Sequence, residues 1–255
     1  MATLYSPKIV TDGLVFYADT MNNRSFVSGS TRITNLGSSQ ITASIIASNV
    51  TLPNVRGNPI RTASPTSVFQ GGINLQTLTN FPELNFTRSD FFTLSVWASF
   101  EEMQPPVVGA NRGIFARGSY NGFVGIAVGK ASTSSLANLY VGTRFSNGAA
   151  LSVELKSSIT TGSNAEIFNA VLVYRSSSID GYLNGAYAGT VNLTNVDTTF
   201  AEGSPPSYAI NAYGGIGGNA SAATMSFYNA SIYNRALTAQ EIQQNYNAML
   251  PRIGV

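Results

Sequence analysis

Cysteine and histidine are both missing from this 255-residue chain. Their absence excludes disulfides, zinc–thiolate sites, imidazole metal ligands, cysteine nucleophiles and every Ser-His-Asp device. Acids and bases are scarce as well: five Asp, seven Glu and three Lys, with charged residues at 10% of the total. The eleven Arg are scattered between Arg24 and Arg252, and the net charge is only +2. A nucleic-acid binder would carry a basic stripe, so no nucleic-acid partner is expected. No apolar run approaches the roughly 20 residues of a membrane span, so no membrane insertion is expected. Met1-Ala2-Thr3-Leu4-Tyr5-Ser6-Pro7-Lys8 lacks a charged segment followed by an apolar one, which predicts a protein made without a secretory signal.

What the chain does have is apolar and neutral polar material. Hydrophobic residues make up 44% and aromatics 11%. Ser, Thr and Asn number 30, 23 and 24, so the polar surface must be largely uncharged. Disordered chains show the opposite balance. Neither a 20–50-residue repeat nor a clear linker is present, which predicts a single domain over 1–255. Strand-like runs of β-branched and aromatic residues fall at 14–18, 41–47, 91–100, 122–128, 136–145, 151–155, 167–174, 186–193, 207–213 and 223–233. Hairpin punctuation follows several of them, as at Asn147-Gly148 and Asn184-Gly185. About ten strands with no helix-length amphipathic run between them predict an all-β, antiparallel two-sheet sandwich. Residues 48–67, with three prolines, and 101–113, with Pro105-Pro106, read as connections.

Within 92–100 the residues alternate. Phe92, Leu94, Val96, Ala98 and Phe100 share one face, and Trp97 shares the other with Thr93, Ser95 and Ser99. Trp97 is expected to pack under a loop or a second layer. One helix is written into the chain, over 239–249. Thr238 and Glu241 form a capping box, in which the Thr hydroxyl accepts the N3 amide and the Glu reaches back to the cap amide. Leu237 and Ile242 form the hydrophobic staple around it. Ile242, Tyr246 and Met249 recur on one face, and Pro251 is expected to end the helix.

The stretch Ile232-Tyr233-Asn234-Arg235-Ala236-Leu237-Thr238-Ala239-Gln240-Glu241-Ile242 resembles the closing motif of LamG-like jelly rolls of the concanavalin A-like lectin/glucanase superfamily. Gln244-Asn245-Tyr246-Asn247-Ala248-Met249 continues it as it looks in tailed-phage virion proteins. Ile9-Val10-Thr11-Asp12-Gly13-Leu14-Val15-Phe16-Tyr17-Ala18-Asp19 resembles their opening. In the following segment, 25–37, Ile33 stands where a Trp is usual and Asn35-Leu36-Gly37 stays close to the pattern. Residues 92–97, 168–174 and 182–185 resemble the family's aromatic strand, its paired strands and their Asn-Gly hairpin. The resemblance implies a concanavalin A-like jelly roll with a short C-terminal helix. It is weak for function, because the fold hosts glycan binders, glycosidases and architectural modules.

Glycoside hydrolysis needs two carboxylates about 5–9.5 Å apart across the bond. The close acidic pair here, Glu101-Glu102, points to opposite faces of a strand, and Glu154 and Glu166 lie apart in sequence. No enzyme is therefore expected. No cofactor and no metal site are expected either. A structural calcium is the one ion left open, but Asp12, Asp19 and Asp180 are dispersed and no Asp-x-Asp loop exists. Sugar binding by aromatic faces and amides offers Tyr120 with Asn121, and Asn211 with Tyr213 and Asn219, as candidate residues, although Asn and Gly also simply make turns. Gly214-Gly215-Ile216-Gly217-Gly218 reads as a loop, because no helix follows to meet a phosphate. The sequence reading is a non-enzymatic phage virion protein on the virion surface, assembled in the host cytoplasm. It would decorate the capsid or sit on a fibre or appendage, with other virion proteins as partners and as a homo-oligomer. Residues 1–8 are the candidate for an arm that reaches a neighbour. The alternative is a lectin-like adhesin that binds host or environmental polysaccharide.

Overall fold

The computed structural model describes residues 8–27, 29–39, 42–46, 50–51, 59–62, 72–75, 84, 86–87, 89–102, 111–119, 122–130, 137–144, 150–159, 165–193, 208–210 and 224–254. These residues form sixteen strands and one helix. The strands are β1 Leu14–Asp19, β2 Arg32–Thr34, β3 Thr42–Ile46, β4 Val50–Thr51, β5 Ile60–Thr62, β6 Gly72–Leu75, β7 Phe92–Glu102 and β8 Asn111–Ser119. They continue with β9 Gly122–Lys130, β10 Ala137–Arg144, β11 Ala150–Ile159, β12 Ile167–Arg175, β13 Ser178–Leu183, β14 Ala186–Asn192, β15 Tyr208–Ile210 and β16 Thr224–Tyr233. Helix α1 is Ala239–Ile253. Two eight-stranded sheets result. One runs β14-β13-β12-β7-β16-β5-β4 with β1 also paired to β16, and the other runs β11-β10-β9-β8-β15-β6-β3-β2. Every pairing is antiparallel. This is the all-β, two-sheet sandwich that the strand pattern predicts, and the jelly roll that the resemblance implies.

The inner faces meet in one core. Phe92, Leu94, Val96, Ala98 and Phe100 supply β7's share, as the alternation requires, and Ile126, Val128, Leu139 and Val141 come from the facing sheet. Phe92 is stacked between Phe86 (4.8 Å) and Tyr174 (4.7 Å). Strand β16 takes two neighbours along one edge. Residues 229–233 pair with β1 and residues 225–227 with β5, and the register against β7 shifts at Tyr228 between them. The two ends of the chain therefore close the same sheet.

The free edge of β1 is sealed by a segment that is not a strand. Asn35 Oδ1 accepts the amides of Tyr17 and Gly37 at 2.7 Å each, and its Nδ2 donates to Val15 O at 2.9 Å. A β-carbon on Gly37 would lie 2.7 Å from the Val15 carbonyl carbon, so only glycine allows this approach. Asn35-Leu36-Gly37 thus has a physical reason for its place in the resemblance. At the Asn184-Gly185 hairpin both residues have positive φ, 51° and 79°, as a tight turn between β13 and β14 demands.

Two expectations about connections are corrected. Residues 48–67 carry β4 and β5, short strands that form despite the nearby prolines because β5 pairs with β16 and β4 with β5. Residues 101–113 hold the end of β7 and the start of β8. Strand β8 shows no alternation because its buried members include Arg117, which bonds the Phe86 carbonyl and lies 5.8 Å from the Tyr208 ring. A partner, not a hydrophobic pattern, holds it.

The helix boundary is corrected too. Pro251 lies inside α1, which extends beyond the expected 239–249 to Ile253. Proline removes one amide and crowds the carbonyl four residues back. In the last turn that loss is small, and Gly254 N–H still reaches Leu250 O at 3.2 Å.

Candidate functional site

The outer face of the first sheet around β7, β12 and β16 is covered by α1 and by the residues leading into β1. Thr93, Ser95, Trp97 and Asn169 are all buried there. Trp97, 2% exposed, lies against the Tyr246 ring of α1 at 5.3 Å and 8°. The expected cover over this Trp is therefore the helix. A second apolar cluster forms around it from Val10, Leu14, Val171, Val173, Tyr182, Leu237 and Ile242.

Polar contacts fix the helix in place. The capping box is complete: Glu241 N–H donates to Thr238 Oγ1 at 3.3 Å, and Thr238 N–H donates to Glu241 Oε2 at 2.8 Å. The staple residues Leu237 and Ile242 are both buried, as expected. Thr93 Oγ1 donates to Arg235 O and accepts the Leu237 amide. Asn245 accepts the Val10 amide at 2.7 Å and donates to Tyr233 OH, which in turn donates to Val10 O at 3.1 Å. Burial pushes the Tyr233 hydroxyl up to about 12. Arg235 forks onto Glu241 at 2.6 and 3.0 Å and meets Asp12 at 2.8 Å. The Arg235 hydrogen bond holds the Glu241 carboxyl down at about 2, against an ordinary 4.5.

Beside this seam lies a cleft of about 730 Å³ between residues 8–12 and α1, with Gln244 and Arg252 in its wall. At its end Asp19, fully buried, pairs with Arg252 at 2.6 Å and accepts the Met21 amide at 3.0 Å. The Tyr17 hydroxyl donates to Asp19 Oδ2 at 3.3 Å, and burial raises its pKa well above the ordinary 10. This pair ties β1 to the last turn of the helix. Gln244 Nε2 also holds the Lys8 carbonyl at 2.7 Å. Of the candidate arm 1–8, Lys8 alone is described, and residues 1–7 lie outside the described residues.

The candidate sugar residues Tyr120, Asn121, Asn211, Tyr213 and Asn219 also lie outside the described residues, as does the Gly214–Gly218 run. Among the described residues no three Asp or Glu gather as a metal site would require. The described carboxylates have their own partners. Asp180 meets Arg175, Glu166 meets Lys156, and Glu154 accepts from Asn138 at 3.1 Å. A general acid for glycoside cleavage wants a raised pKa, and Glu241 is shifted the other way. The side chains of Glu101 and Glu102 are outside the described residues.

One surface arrangement is absent from the sequence reading. On the outer side of β13 and β14, Tyr187 is 58% exposed, and its ring meets that of buried Tyr182 in a T-shaped contact at 5.5 Å and 71°. Its hydroxyl is 2.7 Å from Thr190 Oγ1. Thr190 bonds Asp180, and Asp180 accepts Arg175 Nε at 2.9 Å. Tyr187 and Thr190 are three apart, which on a regular strand puts them on opposite faces. The register runs Gly181↔Gly189 but Tyr182↔Tyr187, so one extra residue in β14 turns both outward. Tyr182 feels burial first and Asp180 second, and both raise its pKa. The bulge carries no sequence signal, and periodicity alone could not have found the cluster.

No curated protein sequence matches the chain. Solved structures do. The receptor binding domain of the botulinum neurotoxin C/D mosaic serotype superposes with a TM-score of 0.62 at 12% identity, over 94% of this chain and 52% of that one. The binding domain of Paraclostridial Mosquitocidal Protein 1 gives 0.63 at 15%, over 93% and 52%. Trypanosoma rangeli sialidase in complex with sialic acid gives 0.58 at 14%, over 93% and 33%. The chain spans about half the length of the binding domains it matches. At these identities the likeness is one of fold. A sequence profile matches residues 72–243. The chain belongs to the concanavalin A-like lectin/glucanases superfamily.

Proposed function

We propose that this jelly roll is a non-catalytic structural module of a phage virion, displayed on the capsid surface or on a fibre or tail appendage in several copies. One observation carries the reading. The stretches that resemble tailed-phage virion proteins, 9–19, 35–37, 92–97, 168–174, 182–185 and 232–249, converge on one sheet and its helix. β1 pairs with β16, Asn35 clamps β1, and α1 covers Trp97. Residues far apart in sequence thus form one unit, as shared ancestry over the whole module would produce. The charge count agrees: 10% charged residues leave a surface suited to neutral, salt-insensitive contacts with other virion proteins. Mass spectrometry of purified virions with copy-number counting tests the reading. Hundreds of copies mean capsid decoration, a handful mean an appendage, and absence from the virion rejects it. Washing virions at about 1 M salt, where screening shortens to roughly 3 Å, should release little of the protein.

A second reading is favoured by the structural neighbours, which include a neurotoxin's receptor binding domain and the binding domain of a mosquitocidal protein. In that reading the module holds a polysaccharide of the host or its surroundings. The two readings are compatible in one virion protein. Glycan-array binding without release of reducing ends separates a binding module from a hydrolase.

A further inference from the structure

We infer that the outer face of the β13–β14 hairpin is a binding platform for a neutral saccharide, with Tyr187 as the stacking ring and the Thr190–Asp180–Arg175 strip as its polar rail. The inference rests on the polysaccharide reading above and gives that reading a location.

The ring is both exposed and held. Tyr187 is 58% exposed, while its ring packs at 71° against that of Tyr182 and its hydroxyl meets Thr190. A side chain fixed before binding loses little conformational freedom on contact. Beside it, hydrogen-bonding groups run across β14, β13 and β12 at the strand spacing of about 4.8 Å. Thr190 and Asp180 are register partners, and Arg175 bonds the far oxygen of Asp180. The Arg175 side chain is 38% exposed, and its contact with Asp180 uses Nε. Its Nη groups have no other partner among the described residues. A guanidinium has five N–H donors, so four remain for a ligand.

A pyranose is the chemistry that fits. One face of the ring presents C–H groups to an aromatic plane, and its rim presents hydroxyls that both donate and accept. Arg175 and Asp180 neutralise each other, so neither an anionic nor a cationic ligand is favoured. A protein partner fits less well, because a stable interface needs about 800 Å² from each side with an apolar centre. The large exposed apolar side chain on these two strands is Tyr187 alone among the described residues. Among the described residues β14 pairs with β13 only.

The test is amide-resolved NMR titration of the full chain with maltohexaose, cellohexaose and laminarihexaose, each in turn. At least one should shift amides in 175–192 with a dissociation constant of about millimolar or tighter, as expected for one stacked ring and a few hydrogen bonds. Tyr187→Ala should weaken that binding at least tenfold. Tyr187→Phe, which keeps the ring, should stay within threefold. Shifts confined to another surface would overturn this site and leave the polysaccharide reading standing. No shift with any of the three sugars would overturn both. Equal binding by Tyr187→Ala and the parent would overturn the stacking role. A multimer that falls to monomer in Tyr187→Ala, with no sugar response in the parent, would make the patch a contact between copies and overturn the inference.

Discussion

The inner face of the first sheet and the part of its outer face beneath α1 are both buried, yet they are built from different materials. The inner face is closed mainly by interlocking apolar side chains: Phe92, Leu94, Val96 and Phe100 against the facing sheet. The covered part of the outer face is closed by a helix, and polar groups set the helix's position. Thr93, Asn245, Tyr233 and the Asp19–Arg252 pair each bond across the seam. Apolar packing is non-directional and tolerates substitutions that conserve volume. Directed bonds between buried groups do not. The inner core therefore makes the sandwich, whereas the outer seam specifies how the chain's ends close it.

Deleting a core ring should have the largest effect. Phe92 is fully buried between two rings, and Phe92→Ala should cost about 3–5 kcal/mol. Urea unfolding followed by tyrosine fluorescence and by far-UV circular dichroism should show one shared transition at lower urea. If the two probes separate, the sheet and the seam unfold as independent units.

Asp19→Ala should come next. It removes a fully buried carboxylate and leaves the Met21 amide without that acceptor. Losing one partner of a buried pair commonly costs several kcal/mol. Arg252 is 39% exposed and can turn to water, so about 2–3 kcal/mol is expected. Trp97 emission should shift to the red as α1 loosens. Unchanged emission together with unchanged stability would mean that the pair does not anchor the helix.

Thr238→Ala deletes the cap hydroxyl and should cost about 0.5–2 kcal/mol. Leu237 and Ile242 bind the helix start to the outer cluster, so the loss should appear in the global melting temperature. An unchanged melting temperature would show that the first turn frays without consequence.

How legible these features were in the sequence follows the same division. Residues 92–100 declare both faces, because period-two alternation reflects where a side chain points. Thr238, Glu241, Leu237 and Ile242 declare the helix start, because capping is local chemistry within a few residues. What was not legible depends on pairing across long separations. Strands β4 and β5 exist through β16, more than 160 residues away. Arg117 is buried because of Phe86 and Tyr208. Tyr187 and Thr190 share a face only through a register slip against β13. Pro251 misleads for the opposite reason, since the cost that proline carries in a helix interior is slight in the last turn, where it sits.

The smallest effect is a change with pH, and its sign is fixed by the seam. Arg235 holds the Glu241 carboxyl near 2 in the folded protein, and the ordinary value is 4.5. A carboxyl with a depressed folded pKa stabilises the fold above its unfolded value. That contribution fades as pH falls from about 4.5 and is gone below about 2. The side chains of Arg235 and Glu241 are 27% and 26% exposed, so water screens the pair and its worth is about 1 kcal/mol or less. Glu241→Gln keeps the size of the side chain and removes the charge. The stability gap between parent and Glu241→Gln, measured by urea midpoints, should be widest at pH 7 and should close between pH 4.5 and 2. Taking the difference between the two proteins cancels the titration of the other carboxylates. A gap of equal size at pH 7 and pH 2.5 would show that neutral hydrogen bonds, not the ion pair, hold this end of the helix, and the polar seam would then owe little to charge outside Asp19 and Arg252.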